Sequence, residues 1–239
     1  MIIGARTVLH AEDPPRARAF LRDVLRLSAV DTGDDRPVFG LPPAEIAVHP
    51  TEPAAGGRHE LYLMCAELDD TVAELTGRGA EFTGEVTRQR WGVLSTLLVP
   101  GLGPVCLYQP THPTAQDLAP GAGVTGAHTV LFAEDADRAR TVLRDVLRLP
   151  EVDGGGGWPI FAAPPSELDV HPAATGTGQH EVRLVCDELE STIRELAERG
   201  ARFGGAVSLR DWGVVTTLLV GGLGPVTLYQ PTHPVVNQD

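Results

Sequence analysis

The chain has 239 residues, 42% of them hydrophobic, enough for one large domain or two ordinary ones. Its formal charge of −13 argues against a nucleic-acid partner, since a duplex binder needs a basic face to release counterions. All 19 basic residues are arginine, so a Schiff-base lysine and a phosphate-loop lysine are excluded, while planar guanidinium forks for carboxylate or phosphate are available.

Three cysteines, Cys65, Cys106 and Cys186, are too few and too widely spaced for a disulfide framework and fit a reducing compartment. The opening MIIGARTVL lacks the basic-apolar-small pattern of a signal peptide. No apolar run approaches the roughly 18 residues of a membrane span. These features predict a soluble cytoplasmic protein, monomer or homodimer, whose partner is a small molecule.

In chain order, Arg6 to Ala11 reads as a strand and Asp13 as the cap of a helix with Pro14 in its first turn. Ala17, Phe20, Leu21, Val24 and Leu25 give that helix one apolar stripe. Short strands follow around Ala29-Val30, Pro37 to Leu41 and Glu45 to His49. A fifth strand at His59 to Cys65 leads into a helix from Asp69 to about Arg78, stopped by Gly79. Three further strands are expected near Glu85 to Arg88, Val93 to Val99 and Pro104 to Gln109.

The same order then repeats. EDPPRARAFLRDVLRL at the first helix faces EDADRARTVLRDVLRL at an offset of 122, and His59, Trp91 and Tyr108 match His180, Trp212 and Tyr229 at 121. The endings GLGPVCLYQPTHP (101–113) and GLGPVTLYQPTHP (222–234) agree at twelve of thirteen positions, differing at Cys106 and Thr227. The expected architecture is α+β: four βαβββ units paired into two domains with cupped mixed sheets. The boundaries expected are 1–113, a Pro/Gly/Ala-rich linker at 114–126, and 127–239.

Strand alternation sorts the side chains into two faces. Arg6, Val8 and His10 share one face of the first strand. Cys106 and Tyr108 share a face of the last, opposite Val105 and Leu107, while His59 sits with Leu61 and Leu63. A cleft between cupped sheets would receive Arg6, His10, His49, His59, Cys106 and Tyr108 from one copy. It would receive His128, Phe132, His171, His180, Thr227 and Tyr229 from the other, with Trp91 and Trp212 at strand entrances and Trp158 nearby. Each has a bland alternative. His49 and His171 precede prolines and can simply end strands, His59 and His180 can simply begin them, and the tryptophans can pack in a core. His112 and His233 read as turn residues, and the charges of DDTVAEL and ESTIREL as solvated helix faces.

The pattern resembles the vicinal oxygen chelate superfamily of glyoxalases, extradiol dioxygenases and bleomycin-resistance proteins. The residues that carry it are the polar residue seven positions before Asp13 or Asp135, the DVLRL helix end, the strands HELYLMC and HEVRLVC, and the ending PGLGPVCLYQP. The resemblance implies glyoxalase/bleomycin-resistance-type domains. It also implies a divalent ion held at the start of the first strand, at the start of the fifth, and by a glutamate in the last. Carried over, it offers His128 and His180, with His171 as a substitute third ligand, for iron, manganese, zinc or nickel in the second copy. Thr227 stands where the glutamate is expected, and Arg6 cannot ligate a metal in the first copy.

Two function classes therefore stay open, with a third behind them. The first is a small-molecule binder, metal-free at least in the first copy, using Arg6, His10, His49, His59, Cys106, Trp91, Phe132, Trp212 and Thr227. The second is a metal-dependent dioxygenase, glyoxalase or isomerase in the second copy, with Tyr229 as a candidate proton donor or orienter. The third is a metal-free enzyme with Tyr108 or Tyr229 acting as acid or base.

Overall fold

The first βαβββ unit runs β1 (Ile2–Ala11), α1 (Pro14–Ala19), β2 (Ala29–Val30), β3 (Val38–Leu41) and β4 (Ala44–Pro50). The second is β5 (His59–Cys65), α2 (Leu68–Gly77), β6 (Glu81–Gln89), β7 (Gly92–Val99) and β8 (Gly103–Pro110). The third is β9 (Gly126–Ala133), α3 (Ala136–Thr141), β10 (Glu151–Asp153), β11 (Pro159–Ala163) and β12 (Ser166–Pro172). The fourth is β13 (His180–Val185), α4 (Leu189–Glu198), β14 (Arg202–Arg210), β15 (Gly213–Val220) and β16 (Gly224–Pro231). This computed structural model describes residues 2–30, 37–41, 44–50, 59–112, 114, 123–153, 159–163, 166–172 and 180–233. Trp158, the side chains of His49 and His171, and most of the 114–126 junction lie outside them.

Local chemistry accounts for the helix starts. The Asp13 carboxylate accepts the Arg16 backbone N–H at 3.1 Å, and Asp135 accepts that of Arg138 at 3.1 Å. Pro14 and Pro15 fill first-turn positions that need no donor. Where one α-helix was expected, α1 continues as a π-helical stretch, Phe20–Val24, and α3 as Val142–Val146. Leu25 N–H reaches Phe20 O at 3.1 Å and Leu147 N–H reaches Val142 O at 3.0 Å, each spanning five residues. Both stretches end on an arginine of positive φ, Arg26 at 54° and Arg148 at 53°. Two strands are longer than expected: β1 begins four residues before Arg6, and β6 covers Glu81–Gln89 with a register shift between Thr83 and Thr87 and Gly84 at φ 72°.

In each unit the first strand pairs with the fourth, so the order in the first is β1-β4-β3-β2 and in the second β5-β8-β7-β6. The first two units join along antiparallel β1 and β5, with Arg6 opposite Tyr62. The last two join along β9 and β13, with His128 opposite Arg183. Two eight-stranded mixed arrays result, bridged where His180 of β13 pairs with His59 of β5.

The hydrophobic cores cross between the copies. One core contains Leu63, Leu75 and Leu107 of the second unit together with Leu131, Leu143 and Phe161 of the third. The other joins Leu21, Leu25 and Phe39 of the first unit to Leu184, Leu196 and Leu228 of the fourth. The repeated glycine ending fixes this exchange. Asp13 N–H donates to Gly222 O at 3.0 Å and Asp135 N–H to Gly101 O at 3.1 Å, so each hairpin turn seats the helix start of the other copy. Gly222 has φ 80°, and a Cβ there would lie 2.4 Å from Asp13 O. Thr7 and Thr129, one from the first strand of each copy, are buried and touch through their hydroxyls at 3.3 Å. Among the described residues no helix is long and apolar enough to cross a membrane.

Candidate functional site

The face of each sheet turned away from the helices is where polar side chains gather. In the second copy, register aligns three neighbours across β9, β13 and β16: His128, Arg183 and Thr227. His128 is buried, and its Nδ1 lies 2.7 Å from the Tyr229 hydroxyl. Arg183 lies over the Trp212 ring at 4.4 Å. Its Nε donates to Glu181 Oε1 at 3.1 Å and its Nη2 to Glu181 Oε2 at 3.5 Å. Thr227 Oγ1 donates to the same Oε1 at 3.2 Å, so one carboxylate collects three donors.

Beside these groups β13 to β16 border an open hollow of about 350 Å³. Its wall includes Glu181, Arg183, Ser208, Arg210, Trp212 and Thr227. A hollow of this size, with polar groups converging on an aromatic wall, fits a small ligand.

The first copy uses the same geometry for a different end. Its row is Arg6, Tyr62 and Cys106. Tyr62 stacks on Trp91 at 6.0 Å and meets Tyr108 edge-on at 5.8 Å. Arg6 is 4% exposed, sits over Tyr108 at 4.9 Å and bonds His112 Nε2 at 3.1 Å. The Tyr62 hydroxyl donates to Glu60 at 2.8 Å, and His10 is 2.9 Å from the other Glu60 oxygen. Burial and the Glu60 carboxylate push the Tyr62 phenol upward, and burial pushes the Cys106 thiol up to about 12. The first-copy row is thus built of aromatic rings around a buried guanidinium.

The histidines need correction. The expectation put His59 and His180 in the clefts, and His180 with His128 on one metal. Register pairs His180 with Leu131 and His128 with Arg183, an odd separation, so His128 and His180 point to opposite faces. His59 likewise pairs with Leu9 and shares its face with Leu61 and Leu63, against the core. His59 and His180 meet each other between the two arrays. Burial, helped by His10 and His180, holds His59 down to about 4. His171 pairs with Phe132, four residues along β9 from His128 and so roughly 13 Å away, and His49 pairs with His10. His112, read as a turn residue, reaches into the first cleft to Arg6. Tyr108 and Tyr229 are fully buried, and Tyr229 is absent from the wall of the hollow. Trp91 stacks on Tyr62 in the first cleft, and Trp212 lines the hollow of the second.

Sequence reasoning missed Glu60, Tyr62, Glu181, Arg183 and Arg210. The signal was present: if Leu61, Leu63, Val182 and Leu184 pack on helices, the alternating Glu and Tyr of one strand, and Glu and Arg of the other, must face away from them.

The donor set of the described residues does not fit a divalent metal in either three-strand row. Each three-strand row carries an arginine, Arg6 or Arg183, a permanent cation with no lone pair to give. His128 is the one imidazole of its row, and the nearby carboxylate of Glu181 is engaged by Arg183 and Thr227. Among the described residues no three histidine, cysteine or acidic side chains cluster as metal ligands would.

No family model and no curated protein matches the chain. Solved structures match along its length. The Mn(II)-bound glyoxalase from Novosphingobium aromaticivorans is 15% identical with a TM-score of 0.63, covering 96% of this chain and 81% of its own. The 2,3-dioxygenase LapB from Pseudomonas sp. KL28 is 13% identical with a TM-score of 0.62, covering 100% and 94%. A catechol 2,3-dioxygenase is 14% identical with a TM-score of 0.62, covering 100% and 90%. With its four βαβββ units and these likenesses to glyoxalase and dioxygenase structures, the chain has the vicinal oxygen chelate fold.

Proposed function

We propose that this chain is a small-molecule-binding protein whose working cleft lies in the second copy and holds its ligand without a metal ion. The observation that carries this reading is the asymmetry between the copies. At matching positions one copy stacks Tyr62 on Trp91, whereas the other sets Arg183 over Trp212 beside a hollow of about 350 Å³. In that cleft the Arg183 guanidinium beside His128, and the Glu181 carboxylate that it and Thr227 already engage, support the metal-free part. An acid–base enzyme built on His128 and Tyr229 has the hydrogen-bonded pair, but neither residue lines the hollow.

The test combines elemental analysis with thermal unfolding across a broad panel of small natural products. Protein purified without chelator should carry no stoichiometric metal, and His128→Ala should leave its metal content unchanged. A bound ligand at 100 times its Kd adds about 2.7 kcal/mol, or roughly 5–10 °C in Tm for a protein of this size. Near-stoichiometric metal lost in His128→Ala, or a panel that moves Tm nowhere, would sink the proposal.

A further inference from the structure

The two clefts descend from the same residues at an offset of 121, so differences between them report what the hollow has become fitted to hold. The hollow is walled by Glu181, Arg183, Ala206, Arg210, Trp212 and Thr227 among others. Their counterparts in the first copy are Glu60, Tyr62, Glu85, Gln89, Trp91 and Cys106. The first set carries a formal charge of +1 and the second −2. Two arginines have been gained and one carboxylate lost at a single hollow, within a chain whose total is −13. An isolated positive hollow on an acidic protein concentrates anions where the rest of the surface repels them.

Glu181 shows how an anion sits there. Its carboxylate takes the guanidinium fork of Arg183 through both oxygens and the hydroxyl of Thr227 through one. The guanidinium itself is positioned by Trp212 beneath it, 12% exposed, whereas the Glu181 side chain is 37% exposed. The pair is part-buried, so the Glu181 carboxylate leaves the guanidinium only when another carboxylate takes its place. Glu60, its counterpart, is also held by local donors, Tyr62 and His10.

Resting on the reading of the second copy as a ligand-binding cleft, we propose that its ligand is a small organic carboxylate. The ligand carboxylate replaces Glu181 on the Arg183 fork and the Thr227 hydroxyl. Arg210 adds a second positive charge, and the hydrocarbon part lies against Trp212, Val215 and Ala206. Glu181 is then an internal competitor that keeps the guanidinium paired until the ligand arrives.

The experiment titrates full-length protein with benzoate and with its neutral isostere benzamide, read by ligand-observed NMR up to 20 mM. The expected result is saturable benzoate binding with benzamide about tenfold weaker or more, since a charge-assisted fork separates them. Arg183→Ala should abolish the preference. Glu181→Ala should tighten benzoate several-fold, a gain that a misfolded variant cannot produce. Equal binding of the two probes, or Glu181→Ala binding benzoate no tighter than the parent, overturns the carboxylate assignment while the pocket stands. Failure of both probes to bind overturns the assignment and the proposed ligand-binding cleft together.

Discussion

Burial makes His59 an acid-sensitive residue. Its folded value of about 4 lies below the ordinary imidazole value of 6.5, so the folded protein refuses a proton that the unfolded chain accepts between those limits. The corresponding stability is fully present above pH 6.5 and is lost as pH falls through about 4, up to about 3 kcal/mol. The groups acting on it are His10 and His180, which oppose its protonation, and Glu181, which favours it. Urea unfolding at pH 7.5 and at 4.5 should show this decline, and His59→Asn, which cannot take up the proton, should flatten it. Unchanged pH dependence in that variant would show that other groups govern acid stability. The thiols behave differently. Burial raises Cys65 to about 11 and Cys186 to about 12, each donating to a tyrosine carbonyl (Tyr108 O at 3.5 Å, Tyr229 O at 3.4 Å). They should therefore resist alkylation in native protein at pH 8, when intact-mass measurement would find no adduct on either.

At the scale of elements, two backbone features set stability. Gly222 receives the start of α1 so closely that a methyl group meets Asp13 O at 2.4 Å, at a φ of 80° that side chains resist. Gly222→Ala should lower unfolding free energy by about 2 kcal/mol or more, read from denaturant midpoints. Gly101→Ala should do the same through α3, since its Cβ would lie 2.3 Å from Asp135 O. The π-helical ends pull the other way. Arg148 is left-handed without being glycine, so Arg148→Gly should be neutral or stabilising by up to about 1 kcal/mol, whereas Arg148→Val should destabilise. Much of this level was legible in the chain. The Asp caps, the two-fold repeat and the strand order followed from local patterns. The π-helical widening did not, because the apolar stripe Ala17, Leu21, Leu25 reads as α-helix and the extra residue is accommodated only through tertiary packing.

At the scale of the whole molecule, sequence alone misleads about ownership. An offset of 121 to 122 suggests two self-contained domains, and the faces of His59 and His180 could not be assigned until their partners were known. Apart from the His59–His180 bridge the strands pair within copies while the cores mix them, a long-range arrangement with no local signature. Two polypeptides cut within 114–126 should therefore be poorly folded separately and recover native far-UV signal when mixed at equal concentration. If each half alone unfolds cooperatively with a Tm near that of the intact chain, the shared cores contribute little.

That sharing of cores also separates two kinds of change. A substitution at Leu107 or Leu228 is felt by both copies at once, because each lies in a core built from both. A substitution at Tyr62 or Arg183 is felt by one open face alone. The paired helices and hairpin turns are bound to a common fate, and the two clefts are private. Arginine and histidine trade places between their first strands, tyrosine and arginine between their partner strands, and cysteine and threonine between their last, all on that private side. Each cleft was thus free to change its side chains without disturbing the frame that both copies share.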